Sequence, residues 1–210
     1  MDPLPATDLR HNLATWGVPA HRLPWVANQM LHALPTETFD PSFAGQQLET
    51  TYFDTAAFDL RKARVQGDRY CTLRIRCYRS ETRPESYALS AKTDDRKVRI
   101  DLPGDLAETL LAGDTLDISR TLPGDLQARL YDVVGDAPLL PVVTVCASRY
   151  AVEDDTDRLT LDVHVRTDTG KRFPINVLEF KSKDKDAKPP FSAGLRPIRV
   201  SKFLWATDYR

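Results

Sequence analysis

The sequence predicts an α+β fold that is mainly antiparallel β, with helices near both ends and one helical insertion at about residues 104–135. Three observations predict it. Runs that alternate apolar and polar residues recur along the chain, the period of strands with one buried face. Successive runs lie close in sequence, which favours antiparallel pairing over long crossovers. The rhythm breaks once, in the middle, where 106–111 and 124–134 read as short helices. Strands near ten residues long suit a closed barrel better than a small open sheet.

Each element has a local reason. Residues 24–34 read as a first helix, with Pro24 in the first turn and Val26, Met30 and Leu34 on one face. Pro35 stops it. Residues 46–55, rich in Thr, Tyr and Phe, read as a strand. A polar connection follows, with Gly67 as its turn residue. Strands are then expected at 69–79, 86–92 and 97–102. Gly113 and Gly135 stop the two helices of the insertion. Strands resume at 142–152, 158–167 and 175–183, and 201–210 reads as a terminal helix. The run Lys183-Asp184-Lys185-Asp186 reads as a solvated turn.

Composition bounds the function. The 210 residues carry 29 Lys plus Arg against 30 Asp plus Glu, a net charge of −1. That balance excludes a uniformly basic nucleic-acid coat and an acidic disordered tail. At 41% hydrophobic and 28% charged residues, the chain is an ordinary globular one. A single domain over 1–210 is the expectation. Cys71, Cys77 and Cys146 make no disulfide framework and show no metal-ligand spacing with the four histidines, so they read as free thiols of a reducing compartment. The beginning of the chain has no signal pattern, and the most apolar stretch, 138–147, is too short to span a bilayer. A cytoplasmic protein without a membrane segment is expected.

The chemistry lies in the polar faces of the strands. In 70–78, Leu73, Ile75 and Cys77 point one way and Arg74 and Arg76 the other. In 158–166, the apolar residues share one face, and Arg158, Thr160, Asp162, His164 and Arg166 share the opposite one. Glu179 and Lys181 lie on one face of 175–181, Lys92 closes another run, and Arg149 sits among apolar neighbours. Solvated strand faces also alternate in this way. Here, however, the recurring polar residue is cationic, and like charges stacked across a sheet are destabilising unless an anion neutralises them. Arginine's planar fork grips phosphate oxygens in pairs. Glu179, flanked by Lys181, is either half of a local salt bridge or a ligand for a hard cation.

These residues carry a family resemblance. The segments Thr51-Tyr52-Phe53-Asp54-Thr55 and Leu73-Arg74-Ile75-Arg76-Cys77-Tyr78 come first. Ser148-Arg149-Tyr150 and Arg158-Leu159-Thr160-Leu161-Asp162 follow, then Phe173-Pro174 with Val177-Leu178-Glu179-Phe180-Lys181, and finally Ser201-Lys202-Phe203. Over roughly 20–205 this ordered set resembles the catalytic domain of the vacuolar transporter chaperone (VTC) polyphosphate polymerases, in the CYTH-like triphosphate tunnel metalloenzyme superfamily.

The resemblance implies an eight-stranded antiparallel tunnel barrel that binds ATP, another triphosphate or inorganic polyphosphate together with Mn²⁺ or Mg²⁺. It implies that Arg74, Arg76, Lys92, Arg149, Arg158, Lys181, Ser201 and Lys202 contact phosphate and that Glu179 holds the metal. The implied reaction is transfer of the ATP γ-phosphate to a polyphosphate chain. The alternatives are triphosphate hydrolysis in the same tunnel and a non-catalytic polyphosphate- or nucleotide-binding module. Two departures from the superfamily pattern motivate the last reading. Residues 9–16 contain no Glu and no Lys where an alternating Glu/Lys strand is usual, and Ser90 replaces an acid. A nucleic-acid partner, with Tyr52, Tyr70 and Tyr78 stacking on bases, is not expected. Asp54 reads as a turn cap, Asp162 as a second metal-side acid or a partner of Arg158, His164 as a hydrogen-bonded structural histidine, and Trp16, Trp25 and Trp205 as packing residues.

Overall fold

The computed structural model describes residues 11–33, 45–67, 71–79, 85–93, 97–191, 194–199 and 201–207. They form two compact units. One is drawn from Glu49–Val145 and Lys202–Arg210, the other from Asp8–Leu48 and Cys146–Ser201. The strands are β1 (His11–Val18), β2 (Gln46–Asp54), β3 (Thr72–Arg79), β4 (Ser86–Lys92), β5 (Lys97–Leu102), β6 (Leu140–Glu153), β7 (Asp157–Thr167), β8 (Asn176–Ser182) and the two-residue β9 (Arg196–Pro197). The helices are α1 (Leu23–Ala33), α2 (Asp59–Gln66), α3 (Gly104–Leu111), α4 (Ile118–Thr121), α5 (Gly124–Val134) and α6 (Lys202–Ala206). The expected architecture therefore holds: antiparallel strands, flanking helices and one helical insertion.

In the first unit the strand order is β5-β4-β3-β2-β6. Leu73, Ile75 and Cys77 of β3 lie directly opposite Ala91, Leu89 and Tyr87 of β4, and these face Val98, Ile100 and Leu102 of β5. This apolar face packs into one core with Leu110, Leu116, Leu122, Leu126, Leu130 and Val134 of the insertion. Each fully buried leucine contributes about 1.5–3 kcal/mol, so the insertion serves to cover the β3–β5 sheet.

The polar connection before Gly67 is a helix, α2, which the apolar pattern did not signal. Leu60 is its one buried residue. The helix is set by its entry. Asp54 is fully buried and accepts hydrogen bonds from the backbone N–H groups of Thr55 (2.8 Å), Leu60 (2.9 Å) and Arg61 (3.0 Å). Two of these are donors that a helix start leaves unpaired. Burial pushes the Asp54 carboxyl above its ordinary range, while the three backbone donors pull the other way. Asp54 is thus a cap, as expected. Gly67 ends the helix at φ +78°, a left-handed position natural to glycine.

In the second unit the order is β6-β7-β8-β1-β9. Leu159 and Leu161 of β7 face Phe180 and Leu178 of β8, which face Ala14 and Trp16 of β1. Val26 and Met30 of α1 complete this core. Trp16 is a core residue, and Trp25 packs edge-on against Phe191 at 5.8 Å. The 183–186 run is an exposed turn in which Ser182 Oγ accepts from the Asp184 N–H. No described helix is long and apolar enough to cross a membrane.

Candidate functional site

The period of two that buries one face of each sheet places the cations on the other. In the first unit, registers run as rows across three strands. Thr72, Lys92 and Lys97 form one row, Arg74, Ser90 and Arg99 the next, and Arg76, Ala88 and Asp101 the third. Arg74 and Arg76 are half-buried, Ser90 is buried, and Lys92 and Lys97 are exposed and directly opposed. Lys97 and Arg99 belong to this cationic face, although the sequence reading did not single them out. Their signal was the alternation of 97–102, but only the β4–β5 register reveals which residues they join. The Arg99 guanidinium lies 5.0 Å from the Tyr78 ring centroid, donates to the Tyr78 hydroxyl at 3.3 Å and pairs with Asp101 at 3.5 Å.

In the second unit, β7, β8 and β1 build a second polar face. Arg158 lies opposite Lys181, which lies opposite Asn12. In the adjacent row, Thr160 lies opposite Glu179, which lies opposite Thr15. Lys181 Nζ is 3.2 Å from Glu179 Oε2, and Arg158 Nε is 3.4 Å from Glu153 Oε2. The Glu179 and Lys181 side chains are only 21% and 26% exposed, well below a freely solvated strand face.

Asp162 is not the partner of Arg158. It accepts two hydrogen bonds from Arg149, Nε to Oδ1 at 2.6 Å and Nη2 to Oδ2 at 2.7 Å, with both residues buried. This fork is the geometry in which arginine binds a carboxylate best. Both Asp162 oxygens are thereby engaged by the Arg149 guanidinium. His164 is exposed, with left-handed backbone at φ +53°. Tyr52 is buried and stacks on Phe203 at 5.0 Å, so it offers no face to a nucleic-acid base; Tyr70 lies outside the described residues. The same stacking anchors α6, whose first residue is Lys202. Ser201, half-buried, belongs to the other unit.

Beyond the cationic rows, one carboxylate oxygen collects three donors where β3 ends. Glu85 Oε1 accepts from Cys77 Sγ (2.8 Å), Tyr87 Oη (2.7 Å) and Arg79 Nε (3.0 Å), while Arg79 Nη1 reaches Glu49 at 2.7 Å. Hydrogen bonds from Cys77 and Tyr87 lower the Glu85 carboxyl to about 2. Burial, and then Glu85, push the Cys77 thiol up to about 12. Cys71 and Cys77 are buried free thiols, as their apolar face predicts.

Among the described residues, no three His, Cys, Asp or Glu side chains come together as a metal centre. Glu179, with Thr160 and Thr15 opposite it on the neighbouring strands and Lys181 Nζ 3.2 Å from Oε2, offers one carboxylate. A single carboxylate suits a hard cation that keeps its waters and binds mainly to phosphate.

No curated protein matches the sequence. Among solved structures, the fold is similar to a candidate adenylate cyclase from Bacillus halodurans, with a TM-score of 0.58, 18% identity and coverage of 83% of this chain and 82% of that one. It is also similar to a Hippeastrum protein first assigned as an adenylyl cyclase and found to have a dominant triphosphatase activity, with a TM-score of 0.52, 14% identity and coverage of 83% and 80%. The fold is that of the CYTH-like triphosphate tunnel proteins. The VTC domain model matches residues 10–204, nearly the whole chain, and the protein belongs to the VTC domain family.

Proposed function

We propose that this chain is a triphosphate-acting enzyme that passes the γ-phosphate of ATP to inorganic polyphosphate, with residues 1–210 working as one domain. One observation carries the reading. Two registers set like charges directly opposite one another, Lys92 against Lys97 and Arg158 against Lys181. Opposed cations of this kind, on faces that also carry Arg74, Arg76 and Arg99, concentrate positive potential where a polyanion would be held.

In this reading Arg74 and Arg76 hold phosphate oxygens with paired hydrogen bonds, and Lys92, Lys97 and Arg99 extend the same face. Arg158 and Lys181 hold phosphates on the second face, with Ser201 and Lys202 as further contacts. Arg149, committed to Asp162, orients its strand and presents what remains of its fork. Phosphoryl transfer needs in-line positioning and charge neutralisation, and the chain's side chains supply both without a protein nucleophile. Glu179 would hold a Mn²⁺ or Mg²⁺ ion brought in on the phosphates, which would neutralise charge on their oxygens. Three free thiols fit a cytoplasmic setting.

The second reading is hydrolysis, with water in place of the acceptor chain. The triphosphatase activity of the Hippeastrum protein of like fold favours it. A third, binding without turnover, rests on the absence of Glu and Lys from 9–16 and on Ser90. Incubation with ATP and Mn²⁺ or Mg²⁺ separates all three. Long-chain polyphosphate on a gel supports transfer, orthophosphate without chain growth supports hydrolysis, and tight binding alone supports the module. An Arg74→Ala, Arg76→Ala double variant should weaken tripolyphosphate binding by about 100-fold or more, since two charge-assisted contacts are lost. Equal affinity in wild type and double variant would reject every version.

A further inference from the structure

The strand that carries Arg158 and Thr160 runs on into a hairpin. Burial falls away along it: Thr160 and Asp162 are buried, whereas His164 and Arg166 are exposed. The strand changes course between them. Pairing with β8 ends at Asp162 opposite Val177 and resumes at Arg166 opposite Arg172, so residues 163–165 on one side answer 173–176 on the other. That mismatch is a bulge. His164, in the middle of 163–165, has left-handed backbone at φ +53°, a conformation uncommon outside glycine. Irregularities of this kind re-aim side chains at sheet rims and beside functional sites.

What lies beyond the bulge is a pair of arginines. The Phe173 N–H donates to the Val165 carbonyl and the Thr167 N–H to the Lys171 carbonyl, both at 2.8 Å. Between these bonds, Arg166 and Arg172 form a non-hydrogen-bonded pair, the position at which cross-strand side chains come closest. Both are exposed, and neither side chain has a hydrogen bond or an acidic partner among the described residues. The turn that joins them is fixed. Gly170, at φ +86°, donates to the Thr167 carbonyl at 3.0 Å, and the Lys171 N–H donates to Thr167 Oγ1 at 3.1 Å. Arg196, also exposed, reaches the same end of the sheet through Gly17 and Val177, in the row of Asp162.

We infer that Arg166 and Arg172 are a docking site for the outer part of a long inorganic polyphosphate chain whose inner part lies at Arg158 and Lys181. The inference rests on the phosphate-binding reading above and sharpens its substrate class to a chain rather than a single triphosphate. At roughly 3.3 Å per residue, Arg158 and Arg166 stand about 26 Å apart along β7, farther than a triphosphate spans. The acid between them on that strand's polar face, Asp162, is covered by the Arg149 fork. Two guanidinium forks side by side match the repeated paired oxygens of such a chain. Continuity with the Arg158–Lys181 row favours polyphosphate over other polyanions.

Calorimetry on the full chain with Mn²⁺, using tripolyphosphate and long-chain polyphosphate as separate probes, tests this. An Arg166→Ala, Arg172→Ala double variant should bind the long chain about tenfold more weakly, while its tripolyphosphate affinity stays within about twofold of wild type. The log–log salt dependence of long-chain binding should become shallower by about 1. An Arg166→Gln, Arg172→Gln variant, which keeps more of the side-chain length, should behave alike, and both should keep the wild-type Tm because the pair is exposed. Unchanged long-chain affinity in both variants overturns the inference and leaves the phosphate reading standing, as long as wild type binds tripolyphosphate. An equal loss for tripolyphosphate, or a lowered Tm in both variants, overturns it too. Wild type that binds neither anion brings down the phosphate reading and the inference together. Phosphatidylserine vesicles or single-stranded DNA that bind through the arginine pair, with polyphosphate binding unaffected by its loss, assign the pair to another polyanion and overturn the inference.

Discussion

Replacing Asp162 with alanine should unfold this protein far more readily than any change at an exposed ion pair. The Arg149 guanidinium is 8% exposed and the Asp162 carboxylate 1%, and they meet through two hydrogen bonds of 2.6 and 2.7 Å. Asp162→Ala takes the bidentate carboxylate away from a buried cation. Breaking such a pair from one side costs about 3–5 kcal/mol. For a chain of this size, each kcal/mol shifts Tm by roughly 2–4 °C, so the loss should be about 6–20 °C. Removing both charges is different, because much of the cost of the single change is a buried guanidinium that has lost this fork. An Arg149→Met, Asp162→Leu double variant should recover the greater part of the loss. Thermal and urea unfolding of the two singles and the double, read by circular dichroism, give the cycle directly. A loss below about 1 kcal/mol in Asp162→Ala, the value typical of a solvated pair, would refute the argument that burial makes this fork matter.

Two further outcomes follow from the Glu85 cluster. Native labelling with a thiol reagent at about pH 8 should spare Cys77 and Cys71, because burial and Glu85 hold the Cys77 thiol near 12 and Cys71 is inaccessible; all three cysteines should label after denaturation, as intact mass will show. The Glu85 carboxyl lies at about 2 in the folded protein against an ordinary 4.5. Its contribution is therefore fully present above about pH 4.5 and is lost as pH falls toward 2. The stability difference between wild type and Glu85→Gln should shrink across that window and stay level above it; a difference that grows with acid contradicts the assignment.

The long strands were legible because burial on one face writes a period of two into the sequence, and 86–92 and 97–102 match β4 and β5 residue for residue. The helix α2 was not, because its amphipathic signal reduces to Leu60. What fixes it is Asp54, a residue outside the helix, acting through three-dimensional reach. The cationic faces were readable strand by strand, but their rows were not. Nothing in 158–166 alone distinguishes Arg158 from Arg149 as the partner of Asp162, since the choice depends on which strand lies alongside. Arg99 joins Arg74 by register, and Thr160 joins Glu179 in the same way. Pattern gives the face of a residue; pairing gives its neighbours.

The separation of the two faces has a consequence for how this chain can change. On β3, Leu73 and Ile75 are constrained by volume, whereas Arg74 and Arg76 between them are constrained by charge and reach. Substitutions on the cationic side therefore leave the packing of the insertion untouched, and repacking beneath the insertion leaves the charges in place. Affinity and thermal endurance can drift separately in such a chain. A laboratory selection for a new anion could randomise alternate codons of β3, β5 and β8 without asking the fold to be rediscovered.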